Sequence, residues 1–265
     1  MPLLPFARFN TQETQPAEIS QAKLAVLIDA DNTQPAIIEG LLNEVAKYGV
    51  ASVKRIYGDW TSNNLRSWKE RLLANAIQPI QQFSYTTGKN ATDSAMIIDA
   101  MDLLYSEKLD GFCIVSSDSD FTPLAARLRE SGCTVYGFGA EKTPKAFVKV
   151  CDKFIYTEIL LDSPEEADED EGRPRIKNRK EFKVDRKLLK LLRDAVEDTA
   201  DESGWAYLGG VGQKIINRSN DFDPRNHGFR KLGDLFRAIP QFETEERPQG
   251  SGSGRLVYIR WKKKR

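Results

Sequence analysis

The chain has 265 residues, 39 Lys+Arg against 39 Asp+Glu and 40% hydrophobic content, enough to bury a sizeable core in one large or two small domains. The zero net charge hides an asymmetry: residues 1–172 carry 16 basic and 26 acidic residues, a balance of −10, and residues 173–265 carry 23 and 13, a balance of +10. No apolar run reaches membrane-spanning length, so no membrane partner is expected, and an acidic half joined to a basic half points to a site in one and polyanion capture in the other.

The opening, MPLLPFARFNTQETQPAEIS, has no basic region ahead of a long apolar stretch and reads as a disordered tail over residues 1–20. From residue 24 short β-branched runs alternate with amphipathic stretches, the pattern of βαβ units around a parallel sheet. LAVLID (24–29) is a strand, and PAIIEGLLNEVAKYG is a helix opened by Pro35 and closed by Gly49. SVKRIYGD (52–59) is extended, NLRSWKERLLANA helical, IQPIQQFS extended, and TDSAMIIDAMDLLYS helical with Thr92 or Asp93 near its cap. GFCIVSS (111–117) is a strand, TPLAARLRESG a helix ending at Gly132, and TVYGFGA and KFIYTE (153–158) complete the strands of a domain spanning 21–161.

Beyond Leu161, an acidic run followed by RPRIKNRK predicts a flexible linker over 162–182. Residues 183–262 then read as three helical segments, KLLKLLRDAVEDTA, YLGGVGQKIINRS and GFRKLGDLFRAI, followed by FETEE and RLVYIRW as a hairpin around PQGSGSG. That is the outline of a winged helix, a small α+β unit. Cys113, Cys133 and Cys151 have no zinc-site spacing; with no signal segment they predict reduced thiols in a cytoplasmic protein.

Four aspartates fall where strands end or a helix begins: Asp29 closes LAVLID, Asp93 opens the helix of KNATDSAM, and Asp118 and Asp120 follow GFCIV. Carboxylates at the carboxyl edge of a parallel sheet repel one another unless a cation neutralises them, and hard oxygen donors point to Mg²⁺ or Mn²⁺. Singly, each has a plainer reading as a helix cap or turn-former. Their recurrence at one expected edge carries the case. Asp31 faces the site or solvent, and Asp99 and Asp102 read as solvated or structural.

LIDADN, KNATDSAM and SSDSDF, in that order over residues 24–158, resemble the marks of a NYN domain, a branch of the PIN-like nucleases. The resemblance implies a PIN-like doubly wound, mainly parallel sheet flanked by helices. It also implies that Asp29, Asp93, Asp118 and Asp120 hold the metal, with Asn32 steadying a carboxylate or a scissile phosphate. By position alone, Lys89, ahead of the helix that carries Asp93, reads either as a solvated loop lysine or as a contact to a substrate phosphate. The implied activity is metal-dependent endoribonuclease cleavage; a non-catalytic RNA-binding or regulatory adaptor is the alternative from another class. A third reading takes IDADNT as the D-x-D-x-T of a haloacid-dehalogenase-like phosphatase, with Asp29 as nucleophile and Asp31 as acid/base. It lacks a well-placed lysine, the nearest being Lys108.

The second unit resembles the LOTUS (OST-HTH) family in GWAYLGGVGQKI, FDPRNHGFRKLGDLFRAI and the closing wing. That family is associated with RNA binding, which makes single-stranded or structured RNA the expected partner, and some members dock a helicase instead, which leaves a protein partner open. Arg218, Arg225, Arg230, Lys231 and Arg237 are the candidate RNA contacts, with Lys262, Lys263 and Lys264 of the tail. Oligomeric state is not legible.

Overall fold

A computed structural model describes residues 21–83, 91–161, 184–248 and 255–262. Six strands, β1 (Lys23–Asp29), β2 (Val50–Gly58), β3 (Gln78–Gln81), β4 (Gly111–Val115), β5 (Thr134–Gly139) and β6 (Lys153–Tyr156), form one parallel sheet in the order β3-β2-β1-β4-β5-β6. The chain builds outward from β1 to β3, crosses back, and builds outward again from β4. The order therefore reverses between β1 and β4, and in an open α/β sheet the crevice beyond that switch point is where ligands bind.

Both faces of the sheet are covered, as a parallel sheet requires. Along β1, Leu24, Val26 and Ile28 pack into one core with α1 (Ile38–Val45) and α2 (Lys69–Ala74). Ala25 and Leu27 pack into the other with α3 (Ala91–Ser106), α4 (Thr122–Glu130) and α5 (Lys145–Val150). All six expected strands are present, with β3, β4, β5 and β6 shorter than read. The helix expected from Pro35 begins as a 3-10 turn and ends at Val45, and the stretch 63–74 likewise starts as a 3-10 turn before α2. Helix α5 escaped the sequence pattern because six residues after Pro144 are too short to display a period.

The second unit folds around its own core, with Leu192, Val211, Ile215, Phe236 and Ile259 at its centre. It comprises α6 (Arg186–Thr199), β7 (Ala206–Tyr207), α7 (Leu208–Arg218), α8 (Leu232–Ala238), β8 (Phe242–Pro248) and β9 (Arg255–Trp261), with sheet order β7-β9-β8. This is the winged-helix outline, with β7 added as a two-residue strand antiparallel to β9. No helix among the described residues is long and apolar enough to cross a membrane.

The two units are docked. Phe154 N on edge strand β6 donates to Asn220 O at 3.0 Å, and Asn220 Nδ2 donates to Val148 O (2.6 Å) and Cys151 O (2.7 Å). Tyr156 Oη donates to Asp221 Oδ2 at 2.9 Å. Arg225 reaches Glu44, in the last turn of α1, with Nη1 at 2.8 Å and Nη2 at 3.1 Å. The winged helix thus caps a sheet edge that would otherwise present unpaired backbone. Because α1 runs back against β1, Glu44 lies toward the end of the sheet where strands start, away from the edge that carries Asp29 and Asp118.

Candidate active site

Where β1 ends, Asp29 turns the chain by accepting from its own loop. Oδ1 takes the amides of Asp31 (3.0 Å) and Asn32 (3.3 Å); Oδ2 takes Asn32 Nδ2 (2.8 Å) and Ser116 Oγ (2.7 Å). Ser116, one residue past β4, accepts in turn from the Asp118 amide at 3.1 Å, so one hydroxyl ties the two strand ends together across the switch point. Asp118 caps the following 3-10 turn by accepting from Asp120 N at 2.9 Å. Asp93 enters from the first turn of α3, the helix that crosses back from β3 to β4.

The outcome is a group of three carboxylates, Asp93, Asp118 and Asp120, with one oxygen from each lying within 4.8 Å of the others. Asp29 was expected among the ligands, but it stands beside the group, 1% exposed, with both oxygens committed to hydrogen-bond donors. Its charge still reaches the site. Burial, then Asp29, Asp118, Asp120 and Asp31, push the Asp93 carboxyl up to about 6. Burial raises Asp29 as well, against the opposing hydrogen bonds of Ser116, Asn32 and the Asp31 amide. A donor set made only of carboxylates suits a hard divalent cation, which would relieve this repulsion. Residues 23–161 match the family model described as the NYN domain.

The chain belongs to the NYN family. A PIN-like nuclease fold is thereby established for the first domain, in agreement with its six-stranded parallel sheet. Residues 182–253 match the OST-HTH/LOTUS domain, so the NYN domain is followed by a module of an RNA-binding class. No curated protein matches the chain. Among solved structures, a protein of unknown function from Vibrio parahaemolyticus is 16% identical, covering 51% of this chain and 93% of its own, with a TM-score of 0.44. An uncharacterized protein from Nitrosomonas europaea is 29% identical over 38% of this chain and 94% of its own (TM-score 0.30). A Chromobacterium violaceum protein fragment is 30% identical over 31% and 84% (TM-score 0.24).

The other candidate residues are distributed unevenly. Asn32 lies at the NYN carboxylates, where its side chain steadies Asp29. Asp31 is exposed, and Asp99 is structural, accepting from Arg55 and Tyr57. Trp68 is core, and Trp60 donates to Ile80 O at 3.0 Å. Three of the expected RNA contacts are engaged within the protein: Arg218 pairs with Asp198 (2.6 Å) and Asp194 (3.5 Å), Arg237 with Asp234 (2.9 Å) and Glu246 (3.1 Å), and Arg225 with Glu44 and Asp223. The Arg225 guanidinium joins the two domains. Arg230 and Lys231 are exposed and without ion pairs among the described residues, and Lys262 donates to Pro240 O at 2.9 Å. Lys89, Lys263 and Lys264 lie outside the described residues. His227 is half-buried beside Phe222, its ring 5.9 Å away, and burial lowers its pKa, as for a packing residue.

Proposed function

We propose that this protein is a metal-dependent endoribonuclease in which the NYN domain cleaves RNA held by the LOTUS domain. The observation that carries the reading is the convergence of Asp93, Asp118 and Asp120 at the switch point of a PIN-like sheet. These three residues would hold Mg²⁺ or Mn²⁺. Such a cation, when bound, lowers the pKa of water and neutralises charge at a phosphoryl group.

The chain's own residues set the stage for that chemistry. Asp29 is buried and hydrogen-bonded on both oxygens, so it acts as an anchor for the loop that carries Asn32. Ser116 holds that anchor in register with the Asp118 turn. The Asp120 amide, bound by Asp118, fixes the turn from which Asp120 itself projects. The sole histidine, His227, lies in the other domain, so proton handling at this site falls to carboxylates and water. Asp29 is poorly placed to be a phosphatase nucleophile because both its oxygens already accept hydrogen bonds. Cytoplasmic residence belongs to the same reading and is supported by three free cysteines.

A panel of labelled RNAs and matched DNAs incubated with the full chain in Mg²⁺, Mn²⁺ or EDTA tests the proposal. Internal cuts in RNA that need the cation are expected. RNA bound without cutting in either metal would overturn the nuclease reading and leave an RNA-binding adaptor.

A further inference from the structure

The first two turns of α6 are built against helix electrostatics. A helix N-terminus favours acids, yet α6 has none in its first turn and begins Arg186, Lys187. The Asp185 N-cap, accepting from Leu188 N at 2.6 Å, is the compensating group among the described residues. Arg186, Lys187 and Lys190 are all exposed, and none has an ion pair among the described residues. Arg186, Lys190 and Arg193 follow at spacings of four and three, so they share one face of the helix.

That face ends on an aromatic ring. The Arg193 guanidinium, paired with Glu197 at 2.8 Å, sits 5.2 Å from the Trp261 ring centre and so contributes orientation rather than free charge, and Trp261 rests edge-to-face on Phe242 at 5.0 Å with part of its surface left open to solvent. Lys262 follows on the same strand end. In sequence, Arg173, Arg175, Lys177, Arg179, Lys180 and Lys183 precede the helix, and Lys263, Lys264 and Arg265 follow Lys262.

Elsewhere in the domain Lys214, Arg230 and Lys231 are also exposed without an ion pair among the described residues, but the arginines around them are neutralised or engaged. Helix α8, the third helix of the winged helix, has seven residues, and its Arg237 is neutralised by Asp234 and Glu246. Arg218, at the end of α7, is neutralised by Asp194 and Asp198. The turn between α7 and α8 is taken up by the NYN domain through Asn220, Asp221 and Arg225. Unpaired positive charge alternating with an aromatic face is what a single strand requires: cations along the phosphates and a ring on which a base stacks.

We propose that single-stranded RNA binds the LOTUS domain along the exposed face of α6, with Arg186, Lys187, Lys190 and Lys262 on phosphates and Trp261 stacking on a base. This deepens the reading of the C-terminal domain as the RNA-binding module and rests on it. The surface differs from that of a winged helix that docks its third helix in a groove.

The test is fluorescence anisotropy of the full chain with a labelled, unpaired RNA in EDTA across a salt series. One variant carries Arg186→Glu, Lys187→Glu and Lys190→Glu; a second carries Arg230→Glu and Lys231→Glu; a third is Trp261→Leu. The triple variant should bind more than tenfold more weakly at low salt, with its slope of log K against log salt flatter by about 2, since a single strand loses roughly 0.7 per phosphate contact. It should melt at or above the wild-type temperature, because acids suit that helix end. Trp261→Leu should weaken binding by about fivefold or more with the slope kept. Wild-type affinity and slope in the triple variant, or the main loss in the Arg230/Lys231 variant, would overturn the placement while leaving RNA binding itself intact. No RNA binding by the wild type would overturn both readings and favour a protein partner for the domain.

Discussion

Replacing Arg225 by Met should undock the two domains. The guanidinium bonds both oxygens of Glu44, at 2.8 and 3.1 Å, and also bonds Asp223 through Nη2 at 2.6 Å. The Glu44 side chain is only 4% exposed, and Lys47 Nζ (2.6 Å) and Tyr48 Oη (2.9 Å) complete its shell. Burial alone would raise its pKa, but hydrogen bonds from Arg225 and Lys47 and the guanidinium charge outweigh it, lowering the carboxyl from 4.5 to about 2. At about 1.4 kcal/mol per unit this is worth ~3 kcal/mol, at the lower end of the roughly 3–5 kcal/mol seen when a buried ion pair loses one partner. The folded-state pKa is the depressed one, so the stabilisation is complete above 4.5 and disappears as pH falls toward 2. By pH 3 about 2 kcal/mol of it should be gone. Urea unfolding followed at the tryptophans reports both domains, because Trp60 and Trp68 lie in the first and Trp205 and Trp261 in the second. Arg225→Met should split one transition into two or shift it by about 3 kcal/mol at pH 7, and the gap from wild type should narrow at pH 3. A shift under ~0.5 kcal/mol at pH 7, or an equal gap at both pH values, would refute the latch.

Three other outcomes follow from the geometry. Ser116→Ala removes the hydroxyl shared by Asp29 and the Asp118 amide, and should lower stability by about 1–3 kcal/mol in a thermal melt and slow cleavage even at saturating metal. Because Asp93 sits at about 6 with no cation counted, Mn²⁺ must displace a proton below that pH; calorimetric affinity should fall as pH drops from 7 to 5 and level off above 7. Gly40→Ala would place a Cβ 2.3 Å from the backbone oxygen of Leu160, so the variant should lose roughly 1–3 kcal/mol by denaturant titration without changing metal affinity.

Much of the NYN domain is legible in the sequence because its strands are buried on both faces and stand out as continuous β-branched runs between helical periods. The aspartates are legible for a related reason: each closes or opens an element at the same sheet edge, so local pattern and topology agree. Which carboxylates converge is harder to read. Asp29 and Asp118 look alike as strand-end acids, and only the placement of Ser116 and the Asn32 side chain shows that Asp29 is fully hydrogen-bonded. The basic half is harder still to read. Arg225 reads as one cation among many in a positive domain, while its partner Glu44 lies 181 residues earlier. Arg218 and Arg237 find acids within their own domain, and no count of charge anticipates that. The cations of α6 stand out only once the helix start is known, since Arg and Lys at a helix N-terminus run against local propensity.

The most direct test of the account is cleavage of one labelled RNA by wild type and by Asp118→Asn, in Mg²⁺ and in EDTA, with RNA occupancy matched by anisotropy. The account predicts cutting by the wild type in Mg²⁺ alone, and loss of cutting in Asp118→Asn with RNA binding retained. Equal cutting by Asp118→Asn, or cutting by the wild type that persists in EDTA, would contradict it.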